Sequence, residues 1–141
     1  MNLTSSQRGT NMSRVKTAMC TIAAAGAAVV LAAGPASAGT NVHVHTTDPW
    51  HAGEAGFLAS NNSVTVCDNR ADGMRATATF VYTSATSSQR VKISDADGAG
   101  NGCVTKKFSI PEGNRVLLWV CIQDGANGAL KNCSKDKEGR A

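Results

Sequence analysis

The chain is poor in aromatic residues, with two Trp, one Tyr and three Phe among 141 positions. It has three prolines and three histidines, and every histidine falls between positions 43 and 51. No serine or threonine in the rest of the chain therefore has a credible imidazole base, which argues against nucleophilic catalysis. No acidic residue occurs before position 39, and no apolar run after position 33 approaches the roughly 20 residues that span a bilayer. No segment shows the period of an amphipathic helix.

The acid-free beginning reads as an export leader over residues 1–38. Arg8, Arg14 and Lys16 form a basic start, and AMCTIAAAGAAVVLAA follows over 18–33. Gly34-Pro35 ends the run, and Ala36-Ser37-Ala38 is an A-x-A site that predicts cleavage before Gly39. Cys20 stands at the front of the apolar run, whereas a lipid-modified cysteine would follow it. Met1 and Met12 both remain open as the start. Three of the 14 basic residues and none of the ten acidic ones lie in 1–38, so residues 39–141 carry a formal charge of +1. That near-neutral balance removes the case for a nucleic-acid or anionic-membrane partner. The expected localisation is extracellular.

Four cysteines remain, Cys67, Cys103, Cys121 and Cys133, and an even count in a small exported domain reads as two disulfides. Four cysteines allow three pairings. Between Cys121 and Cys133 lie apolar ends and a Gly-Ala-Asn-Gly centre, the pattern of a hairpin that sets two sulfurs opposite each other. The favoured pairing is therefore Cys121 with Cys133 and Cys67 with Cys103.

Period-two alternation and turn residues predict about seven short strands and an antiparallel, immunoglobulin-like β-sandwich over 54–134. The strands fall at 54–60, 63–67, 74–83, 89–94, 103–110 and 115–123, with a return toward Cys133. Ala76, Ala78, Phe80 and Tyr82 share one face of the 74–83 strand. The 115–123 strand has Val116, Leu118, Val120 and Ile122 on one face and Leu117, Trp119 and Cys121 on the other. Apolar residues on both faces predict a central strand covered on both sides. Residues 39–53 read as a flexible N-terminal arm, in which Val42 and Val44 allow a short edge strand before Asp48-Pro49 breaks it. Residues 135–141 read as a frayed, charged tail.

The run Val66-Cys67-Asp68-Asn69-Arg70-Ala71-Asp72-Gly73 resembles a pattern in small exported actinobacterial proteins. These combine an alanine-rich leader, a V-C-D-x-x-A-D-G turn, a glycine-rich loop before a second cysteine and a cysteine hairpin near the end. The resemblance implies a secreted β-sandwich with two disulfides and implies no activity.

Several constellations bear on chemistry. His43-x-His45 puts two imidazoles on one face of an extended segment, with His51 close by, a weak pattern for Zn²⁺ or Cu²⁺. Asp95, Asp97 and Asn101 look like the start of a calcium loop, but the fifth and twelfth positions are Ala99 and Lys106, so the ligand set fails. Asp68 and Asp72 flank one turn and read as turn-makers rather than an acid–base pair. Trp50 is a candidate contact residue. The 68–73 turn, the 95–102 loop and the Trp50 arm are the candidate binding surfaces. The expected function is a secreted, monomeric, non-enzymatic binding or surface-associated module without a cofactor. Its expected partner is an extracellular protein or a cell-wall component. The alternatives are a hydrolase inhibitor presenting Pro111-Glu112-Gly113-Asn114 and a metal-binding protein using the histidine arm.

Overall fold

The computed structural model describes residues 38–141, and the leader expected over 1–38 lies outside them except for Ala38. Nine strands are present among the described residues: β1 (Val42–His45), β2 (Gly53–Leu58), β3 (Ser63–Asp68), β4 (Met74–Thr83), β5 (Ser88–Asp95), β6 (Val104–Lys107), β7 (Arg115–Asp124), β8 (Leu130–Lys131) and β9 (Lys137–Arg140). One sheet has the order β1-β2-β3-β6. The other runs β5-β4-β7, with β8 and β9 both pairing β7. Every pairing is antiparallel. The fold is an all-β sandwich with the two expected bridges, Cys67–Cys103 and Cys121–Cys133. Among the described residues no helix is long and apolar enough to cross a membrane.

The inward residues of both sheets meet in one core. Val64 and Val66 face Ala78, Phe80, Leu118 and Val120, all fully buried. The Phe57 and Phe80 rings stack across the sheets at 5.4 Å between centroids. Each large apolar side chain buried this way contributes on the order of 1.5–3 kcal/mol.

Three expectations are corrected. The 39–53 segment is not a loose arm. Val42 and Val44 are buried, and β1 pairs along its whole length with β2, with His43 opposite Gly56 and His45 opposite Glu54. The 135–141 tail is not frayed. Its β9 pairs with Arg115 through Leu118, and Thr40 and Arg140 exchange backbone hydrogen bonds of 2.8 and 3.2 Å that join the two sheets along one edge. Only Gly139 and Ala141 of this charged tail are buried, while Lys137, Glu138 and Arg140 stay in solvent. Gly139 is required there, because a Cβ would lie 2.4 Å from Val42 Cγ2 and 2.6 Å from the Thr40 carbonyl oxygen.

The third correction concerns β7. Its inner residues enter the core, but among the described residues no second layer covers its outer face. Leu117 and Trp119 remain half-buried there. Smaller differences lie at element ends. The 103–110 strand shortens to β6, and residues 59–61 form a single 3-10 turn closed by Asn62 at φ 51°, a conformation asparagine tolerates.

Candidate functional site

Strand direction gathers the candidate residues at one end of the sandwich. β1, β3, β5 and β7 finish there, and β2, β4 and β6 start there. The loop 46–53, the turn 68–73 and the loop 95–102 are therefore neighbours.

The loop 46–53 is built around the Asp48 carboxylate, which is 8% exposed. It accepts from the Thr46 hydroxyl, from Trp50 N–H at 3.2 Å and from Ala52 N–H at 3.0 Å. Burial alone would raise the Asp48 pKa, but these hydrogen bonds to the charged form hold it below the ordinary carboxylate range. His51 takes φ 48°, an uncommon region for a residue with a Cβ, and its N–H closes a turn onto the Asp48 carbonyl at 3.1 Å. Its Nδ1–H donates to the Thr46 carbonyl at 2.8 Å. The result is a braced turn whose tip is Pro49-Trp50, and Trp50 is 70% exposed.

The 68–73 turn lies against this tip. Asn69 N–H donates to the Ala52 carbonyl at 2.8 Å, and the Asn69 amide donates to Glu54 at 3.3 Å. The Arg70 guanidinium lies 5.3 Å from the Trp50 ring centroid and 3.9 Å from Asp72. Trp50, Asn69 and Arg70 border a shallow hollow of about 270 Å³. Both aspartates bond two residues onward, Asp68 to Arg70 N–H and Asp72 to Met74 N–H, each at 3.0 Å. Asp95, 1% exposed, accepts from Asp68 N–H at 2.8 Å and so ties β5 to β3 across the open edge. Asp97 is exposed; its N–H reaches Asp95 Oδ1 at 3.4 Å, and its carbonyl accepts from Asn101 at 2.7 Å. Burial raises the Asp68 pKa, helped by the neighbouring Asp72 and Asp95 charges and opposed by the Arg70 N–H bond.

The three imidazoles sit on the outer side of the first sheet. His43 donates to Glu54, which lowers the Glu54 pKa. The His45 and His51 rings lie edge to face at 4.2 Å. Among the described residues no group of three or more His, Cys, Asp or Glu side chains is placed to hold a metal ion; of the three candidate histidines, His43 is paired with Glu54 and His51 with the Thr46 carbonyl. The 111–114 turn lies at the opposite end from the Cys67–Cys103 bridge and is tied down, with Gly113 N–H on the Ala141 carbonyl at 2.7 Å and Arg140 on the Gly113 carbonyl at 3.1 Å. It is not the loop beside a disulfide that an inhibitor reading needs.

Sequence reasoning missed two things. It named Asp68 and Asp72 but not Asn69 and Arg70, the residues of that turn that meet Trp50. It also missed the open outer face of β7, where Val81, Leu117 and Trp119 line a groove of about 460 Å³. The available signal was that Leu117 and Trp119 share a face with Val81, beside a strand whose outward residues are Arg90 and Lys92. Comparison with protein families, characterised proteins and solved structures found no match.

Proposed function

We propose that this is a secreted, monomeric, non-enzymatic binding module that contacts an extracellular protein or a cell-wall component through the Trp50 end of the sandwich. The observation that carries this reading is the support under Trp50. A buried carboxylate, a buried threonine and a histidine at positive φ hold a tryptophan side chain out in water. Backbone strain of this kind costs on the order of 1–3 kcal/mol and persists only where surrounding structure imposes it. A pre-organised aromatic anchor beside an arginine loses little freedom on binding.

Secretion is supported by the leader pattern at 1–38 and by the two disulfides, which persist in oxidising compartments. The pairing of β3 with β6 in one sheet, and of β4 with both β5 and β7 in the other, supports an immunoglobulin-like connectivity. The non-enzymatic reading is supported by the oxidised cysteines and by His43 and His51, whose ring nitrogens are engaged by Glu54 and the Thr46 carbonyl.

The test is retention of the protein on culture medium components and on cell-wall material, with Trp50→Ala and Arg70→Ala beside it. Retention of the parent protein with loss of most binding in both variants supports the reading. Equal retention of all three contradicts it.

A further inference from the structure

The outer face of the second sheet carries a groove that shares no lining residue with the Trp50 end. On paired strands, Val81 stands opposite Leu117 and Thr79 opposite Trp119. β5 brings Arg90 beside Val81 and Lys92 beside Thr79. On the far side of β7 the chain leaves Cys133 and runs through Ser134, Lys135 and Asp136 before β9 begins. That segment is a fixed wall. The Cys121–Cys133 bridge anchors it, Ser134 N–H donates to the Val120 carbonyl at 2.9 Å, and Val120 N–H donates to the Ser134 hydroxyl at 3.1 Å.

The floor is therefore apolar, made of Val81, Leu117 and the half-buried Trp119 indole, and the rims are cationic, Arg90 on one side and Lys135 on the other. The Arg90 guanidinium lies 5.7 Å from the Trp119 ring centroid. Neither Arg90 nor Lys135 makes an ion pair among the described residues. Asp136 is the one acidic lining residue against these two cations. The volume of about 460 Å³ falls in the range of small-molecule sites, roughly 300–1,000 Å³.

We infer that this groove binds a small amphiphilic molecule with a flat aromatic body and an anionic group. The body lies on Trp119 and Leu117, and the anion pairs with Arg90 or Lys135. Charge decides the choice. The exposed rim cations offer charge-assisted hydrogen bonds that an uncharged hydrophobe cannot take, and a strongly charged polyanion would desolvate the apolar floor without filling it. Arg suits a carboxylate or a sulfonate because its fork can donate two parallel hydrogen bonds to two oxygens of either group.

Anilinonaphthalene sulfonate is a suitable probe, with N-phenylnaphthylamine as its uncharged counterpart. The Trp50→Phe protein leaves Trp119 as the sole indole, so quenching of its emission reports the groove directly. The expected result is saturable one-to-one quenching by the sulfonate and binding of the uncharged probe weaker by about tenfold. Arg90→Gln should weaken the sulfonate by about tenfold while shifting the uncharged probe by less than about twofold. Leu117→Asp should weaken both. Lys135→Gln provides a second charge variant on an exposed position, and cooperative melting of each variant excludes dye uptake by unfolded chains. Non-saturating quenching, equal affinity for the two probes, or unchanged sulfonate binding in both Arg90→Gln and Lys135→Gln overturns the inference. So does sedimentation showing a dimer that shields Trp119, because the occupant would then be a second copy. None of these outcomes depends on Trp50, so this test and the retention test above fail independently.

Discussion

Asp68 N–H donates to the Asp95 carboxylate at 2.8 Å, while Asp68 Oδ2 is itself buried without a hydrogen-bond partner. Two carboxylates thus lie close together where β3 and β5 meet, and only one of them is well served. The Asp68 pKa is raised, first by burial. A group raised on folding contributes stability that is fully present below its unfolded pKa and is lost as pH rises through its folded value. Asp68→Asn keeps an oxygen for Arg70 N–H and removes the buried charge. Chemical denaturation at pH 7 should show the variant equal to or more stable than the parent by up to about 1 kcal/mol. It should also show less loss of stability across that acidic window. A variant that is clearly less stable at pH 7 would contradict this account of the corner.

Asp48 acts with the opposite sign. Its lowered pKa means that its contribution is present above the unfolded pKa and is lost as pH falls through the folded one. Asp48→Ala leaves the Trp50 and Ala52 N–H groups without their acceptor, while the Thr46 hydroxyl keeps only its bonds to Gly53, which should cost about 1–3 kcal/mol at pH 7. The same substitution should sharply raise the mobility of Trp50, read by fluorescence anisotropy in a Trp119→Phe background. Unchanged anisotropy would mean that the carboxylate does not brace the turn.

The two bridges should differ in worth. Cys67–Cys103 closes 36 residues and Cys121–Cys133 closes 12. Loop-closure entropy gives each about 2–4 kcal/mol, with the larger share for the longer loop. Paired Cys→Ala substitutions compared by denaturant unfolding check this order. The shorter bridge should matter more for the groove, because Cys133 anchors the wall that carries Lys135.

Gly139→Ala should destabilise the fold by about 1–3 kcal/mol, since the added methyl overlaps Val42 and the Thr40 carbonyl. Hydrogen exchange would then rise at β1 and β9 before the rest of the sandwich. Protection left intact at both strands would contradict the closed edge.

Much of this architecture was legible in the residues. β4 and β7 are long runs rich in β-branched and apolar residues bounded by turn signals, and the Cys121–Cys133 hairpin carries its own turn chemistry. The edges were not legible. β1 buries only two valines, and the 46–53 loop is ordered by Thr46 and Asp48, polar residues whose burial depends on partners that local pattern does not reveal. β9 contributes backbone pairing and a glycine, so its charged composition gave no apolar signal. The outer face of β7 failed for the converse reason. Leu117 and Trp119 have the composition of a covered face, and nothing local says that no layer of the described residues lies over them. At the site, Trp50 and the 68–73 turn were legible as surface features, but their meeting depends on strand direction.

The most direct measurement of the central claim is quencher access to Trp50 in the Trp119→Phe protein, with and without the medium component or cell-wall material that retains it. Trp50 should be fully open to acrylamide in the free protein, and bound material should shield it and shift its emission to shorter wavelength. Retention on the material with Trp50 still open to quencher, or no retention on any of it, would contradict the claim that this end of the sandwich is the contact surface.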